Sequence, residues 1–168
     1  MHENQNSHKH SRGHGEGLIS AISVGAVFII IGIVFTITPD LPAKIGAFFR
    51  DITTVSFPFP ASSSSTITLP GPLNPAIHGV VYTALMQFDL AIGILQILIL
   101  ALRLGMHSPT GKTAETVGNL IFWLGAAVLV NMFLAAGTIN GWFEYWGAFI
   151  VLVGVTLVAR AIVYFAKR

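Results

Sequence analysis

Tyr82, Asp89, Gln96 and Arg103 recur every seven residues, with His78 one turn before Tyr82, in a segment otherwise dominated by Val, Ile, Leu and Ala. Seven residues is close to two helical turns, so the five side chains lie along one face of one helix. The segment is long enough to cross a bilayer, and counting inward at about 1.5 Å per residue puts Asp89 about 15 Å deep, near mid-membrane. A carboxyl group there binds a proton or a cation, or pairs with a basic side chain, because an isolated charge in hydrocarbon is costly.

The pairing candidate is Arg160, in the last apolar run. By the same count it lies some 20 Å deep or more, below Asp89, and its side chain leans back toward that level. A salt bridge between the two is geometrically feasible. Tyr82, Gln96 and Asn131 complete a candidate intramembrane polar site. Two readings of it stand side by side. In one, Asp89 is a protonatable or ion-binding carboxylate on a polar path. In the other, Asp89 with Arg160, Gln87 or Asn131 holds helices together or docks a partner subunit. Burial favours the neutral acid and a nearby guanidinium the carboxylate, so residue types alone leave the charge of Asp89 open. Arg160 can instead extend to the headgroups beside Lys167 and Arg168.

These residues must be positioned by membrane-spanning helices. Over 168 residues, 54 % are apolar, only 10 % are charged and the mean hydropathy is +0.75; a soluble domain carries about 25 % charged residues. Apolar runs predict spans at residues 18–38, 76–102, 116–137 and 142–165. The first has no small-x-small cleavage site and is read as a permanent span rather than a secretory leader. Only Thr138-Ile139-Asn140-Gly141 joins the last two, which makes them antiparallel neighbours. The fold class expected is therefore an all-α membrane protein, an antiparallel four-helix transmembrane bundle, forming one domain over residues 18–168.

Residues 39–75 form a long first loop. Within it Ile45, Phe48, Phe49 and Ile52 fall at i, i+3, i+4 and i+7, the pattern of a short amphipathic helix lying in the interface. Thr53–Phe57 and Ser65–Leu69 are two β-prone pieces able to pair across the Ser- and Pro-rich stretch between them. Residues 1–17 are polar and histidine-rich and read as a disordered tail. Its His8, His10 and His14 are weak metal candidates that lack the acidic or thiol partners of a defined site.

Lys9, Arg12, Arg103, Lys112, Lys167 and Arg168 share one side of the four-span topology, against Lys44 and Arg50 on the other. The positive-inside rule then predicts both termini on the cytoplasmic side of the cell membrane. Gly25 and Gly32, Gly118 and Gly125, and Gly147, Gly154 and Ala161 repeat at seven-residue spacing, which lets helix backbones approach closely.

The chain has no cysteine, so disulfide exchange and thiolate metal sites are excluded. His78 and His107 sit at opposite ends of one span and cannot share a haem. No nucleotide, serine-hydrolase or zinc-protease fingerprint occurs, no cofactor is implied, and the few basic residues speak to lipid rather than nucleic acid. The expected function is a non-catalytic subunit or scaffold of a membrane complex, with the bilayer and either other proteins or further copies of itself as partners. The alternative is a small proton- or cation-coupled transporter or channel using Asp89.

Overall fold

A computed structural model describes the backbone of residues 3–58 and 66–166, and side chains over 17–56 and 68–166. Its order is α1 (Glu3–Ile37), α2 (Leu41–Asp51), β1 (Ile52–Pro58), β2 (Thr66–Pro72), a 3-10 turn (Pro75–His78), α3 (Gly79–Gly105), α4 (Thr110–Leu129), a π-helical turn (Val130–Leu134) and α5 (Ile139–Ala166). Four stretches are long and apolar enough to cross a membrane: Gly17–Ile37, Pro75–Gly105, Thr110–Leu134 and Ile139–Ala166. They match the four hydropathy runs, as a multi-pass membrane protein requires.

Two elements differ from the expectation. The backbone of residues 3–17, read as a disordered tail, continues the helix of α1. No proline interrupts it and helix propagation from a formed span is far easier than nucleation. The side chains of His8, His10 and His14 lie outside the described residues. The all-α class also needs correcting, since the two β-prone pieces do pair: β1 and β2 are antiparallel, with Val55 facing Leu69 and Ile52 facing Pro72. With only two strands both are edges, which is why Pro70 and Pro72 are tolerated in β2.

A short helix, α2, forms where the apolar spacing places it. Pro42 sits in the first turn of α2, where a missing N–H costs nothing, and Asp40 turns the chain there with a left-handed φ of 57°. Leu41, 2 % exposed, inserts beside Val34 of α1 and Ala84 of α3 and fastens α2 across the end of both spans. Connections at this end also hold the other spans. Trp142 Nε1 donates to the Pro70 carbonyl at 3.2 Å, and Gly137, with φ +62°, lies so close to Ala76 that a Cβ would come within 2.9 Å of its Cα. At the opposite end the Arg103 guanidinium donates to the Lys112 carbonyl and ties the α3–α4 connection.

The spans pack in sequence, α1 on α3, α3 on α4 and α4 on α5, with no substantial contact between α1 and α5. Among the described residues these contacts run as a row of consecutive seams from α1 through α3 and α4 to α5. Glycines mark the seams: a Cβ on Gly93 would strike Leu124, on Gly125 Leu152, and on Gly118 the stem of Arg160. Gly25, Gly32, Gly147 and Gly154, on the two outer helices, have nothing within 4 Å of a notional Cβ. Of the six glycines in the small-residue pattern, two thus build this chain and four are left unfilled by it.

Candidate functional site: a polar column between the loop and mid-membrane

The column begins outside the spans. Asp51 closes α2, and α2 lying across α3 carries its carboxylate to His78 at the end of the 3-10 turn. The imidazole Nε2–H donates to Asp51 Oδ2 at 2.8 Å, and the Asn74 backbone N–H donates to the same oxygen at 2.9 Å. His78 is 4 % exposed, and Phe48 stands edge-on to its ring at 5.2 Å. The hydrogen bond from the Asn74 backbone, followed by that from His78, holds the Asp51 carboxyl below its usual 3.8. A carboxyl lowered on folding contributes stability above the unfolded value and loses it as pH falls through the folded one. Docking of α2 and the hairpin is therefore expected to be complete at neutral pH and to loosen below about pH 4. Trp142 fluorescence between pH 6 and 3 reads this through its bond to Pro70, and Asp51→Asn should remove the acid transition.

Deeper in the column, Phe48 also meets Tyr82 edge-on at 6.1 Å and Trp142 at 5.9 Å. Tyr82 belongs to a buried cluster with Val130, Leu134 and Tyr145, drawn from α3, the π turn and α5. Its hydroxyl is fully buried with no hydrogen-bond partner among the described residues, and it lies in electrostatic reach of Asp51. An orphaned buried hydroxyl is a cost that a structure carries for a reason or fills with a ligand or water. Tyr145 lies in electrostatic reach of Asp89, two turns further along α3.

Asp89 is 3 % exposed and faces the protein interior, as its place on the stripe predicts. Among the described residues it makes no ion pair and no hydrogen bond. The bridge to Arg160 that depth makes feasible is not formed among the described residues. Gly118 leaves a gap on α4 into which the Arg160 stem folds, half-buried against the neighbouring helix instead of reaching α3. Gln96 is half-buried below Asp89, and Asn131 points outward from the π turn, exposed, so it does not line the column. Tyr82 and Asp89 are thus gathered on one interior face, Gln96 flanks them, and Asn131 and Arg160 stand apart.

Sequence reasoning missed the Asp51–His78 pair and placed His78 only at the head of the polar stripe. The two are 27 positions apart and meet only because α2 folds back over α3. The amphipathic pattern that predicted α2 was the available signal, since it ends at Asp51. No group of three or more His, Cys, Asp or Glu side chains able to hold a metal occurs among the described residues. No family model matches the chain, and neither a curated protein nor a solved structure shows significant similarity to it.

Proposed function

We propose that this chain is a non-catalytic membrane subunit or scaffold that works by seating partner helices against the two outer helices of its row. The observation carrying this reading is the unfilled glycine stripe on each flank, Gly25 with Gly32 and Gly147 with Gly154. In lipid, association rests on close backbone approach, and interior glycines that pack nothing within their own chain weaken the helix without compensation. Asn131, a polar side chain turned outward at membrane depth, supports a protein neighbour on the same grounds. The reading includes insertion in the cell membrane with both termini cytoplasmic, following the distribution of Lys and Arg.

Gly147→Leu together with Gly154→Leu tests it. The isolated chain should keep its helix content, because nothing packs there, while co-purification of partners or of further copies after gentle extraction should fall by at least about tenfold. Unchanged association would sink the proposal.

A second reading, a small proton- or cation-coupled transporter, is favoured by one specific observation: Asp89 is buried without any cation beside it, at the inner end of a column that holds an unpartnered Tyr82 hydroxyl. A carboxyl that served only to tie helices together would have a partner on the next helix.

A further inference from the structure

Arg160 stands apart from the column, and the structure fixes where its charge emerges. Its stem lies in the notch that Gly118 leaves on α4, with Nε 3.4 Å from the place a Cβ on Gly118 would take. Six residues separate it from Ala166, the end of α5. At about 1.5 Å per residue that is roughly 9 Å, and α5 overhangs a hydrocarbon core about 30 Å thick by roughly 6 Å at each end. Arg160 therefore sits about 3 Å inside the edge of the core. One turn nearer that edge, the exposed Tyr164 ring comes 4.0 Å from the notional Cβ of Gly111 at the start of α4.

Nothing among the described residues neutralises this cation: Arg160 makes no hydrogen bond and no ion pair. Glu115, on the same face of α4 as Gly118, pairs with Lys112 at 3.3 Å instead. Thr156, one turn deeper on α5, is 8 % exposed and its hydroxyl is also unpartnered, so the guanidinium does not donate to it. A guanidinium inside the edge of the hydrocarbon without a counter-charge is costly, and it draws an anion from the layer it borders. That layer holds lipid phosphates, whose oxygens match the planar guanidinium fork. Leu157 and Val153, three and seven residues before Arg160, continue its side of α5 toward mid-membrane as exposed apolar side chains. A cation followed by exposed hydrocarbon suits a phosphate that carries acyl chains better than a free one.

We propose that the α4–α5 seam at Gly118 binds one anionic glycerophospholipid, its phosphate held by Arg160 and an acyl chain lying along Leu157 and Val153. The leaflet is the one that borders the α3–α4 connection. This site is separate from both the flank glycines and the Asp89 column. A zwitterionic lipid brings its own cation to its phosphate and gains less from Arg160.

The test is native mass analysis of the full chain in a mild detergent, with excess dioleoyl phosphatidylglycerol or dioleoyl phosphatidylcholine added. One phosphatidylglycerol should remain bound with clear preference over phosphatidylcholine. Arg160→Gln should reduce that preference by about fivefold, the weight of a single basic side chain near a membrane surface. Gly118→Ala keeps every charge but fills the notch and displaces the stem, and it should lower the preference to a similar extent. Folding is checked by far-ultraviolet circular dichroism; should Gly118→Ala misfold, Arg160→Lys, which keeps the charge and loses the fork, takes its place with the same expectation. Arg50→Gln, at the other end of the spans, should leave the preference unchanged. Equal retention of the two lipids by the native chain, an undiminished preference in folded Arg160→Gln, or an equal loss in Arg50→Gln would overturn the proposal. So would release of the lipid by excess inorganic phosphate, which would make the ligand a free anion, or a partner protein found on the native chain in place of lipid.

Discussion

Gly137→Val is expected to destabilise the chain by about 3 kcal/mol, the largest effect of any single substitution outside the spans. Two independent costs meet at this residue. Its φ of +62° is open to glycine and strained for a β-branched side chain. Its notional Cβ also lies 2.9 Å from the Ala76 Cα, a backbone atom in the 3-10 turn before α3 that cannot swing aside as a side chain could. The turn after α4 is held against the start of α3 by that contact, so the variant should loosen the packing of α5 as well as the turn. Thermal unfolding in micelles, followed by circular dichroism, measures the loss. Gly79→Ala is the control: nothing lies within 4 Å of its notional Cβ and its φ is not positive, so its midpoint should barely move.

Asp89 gives the second large effect, and its sign depends on which substitution is made. Asp89→Lys places a cation of different reach in a buried position with no carboxylate beside it, at an expected cost of about 3 kcal/mol. Asp89→Asn keeps the shape and removes the ionisable group, and because no cation loses its partner, stability should change by less than about 1 kcal/mol. The neutral variant therefore separates the two functional readings. A subunit that docks through its flanks assembles as before, whereas a transporter relying on this carboxyl loses its coupled flux in proteoliposomes with its fold intact. Had Arg160 been the partner of Asp89, the same substitution would have left a buried guanidinium unpaired and cost several kcal/mol.

Residue by residue, what was legible in the chain is what short-range physics determines. Hydropathy located all four spans, because each must satisfy its backbone internally over a fixed thickness of hydrocarbon. The i, i+3, i+4, i+7 spacing located α2, and the β-prone residues on either side of the serine run located the hairpin. Interior burial of Tyr82 and Asp89 followed from the stripe on α3. Relations between helices were legible only where a tight turn makes neighbours, as it does for α4 and α5. Depth along the membrane placed Arg160 near Asp89, but lateral position decides contact, and the gap at Gly118 drew the arginine stem onto α4. Asp51 and His78 meet through the fold of a loop whose path no periodicity encodes. Whether four antiparallel helices close into a bundle or stay in a row depends equally on which glycines are used within the chain.

The π turn accounts for the remaining discrepancy in terms of angular phase. Along the third span the buried residues Ala126, Val130 and Leu134 are spaced by four. In a helix of 3.6 residues per turn, each such step overshoots a full circle by about 40°, and two steps would carry Leu134 well off the line begun at Ala126. The wider turn at residues 130–134, marked by the bond from Ala135 N to Val130 O at 3.0 Å, absorbs that drift and keeps the three on one seam. No single wheel projection describes the span from Thr110 to Leu134, and Asn131, a candidate for the intramembrane polar site, falls on the outer arc of the dilated turn.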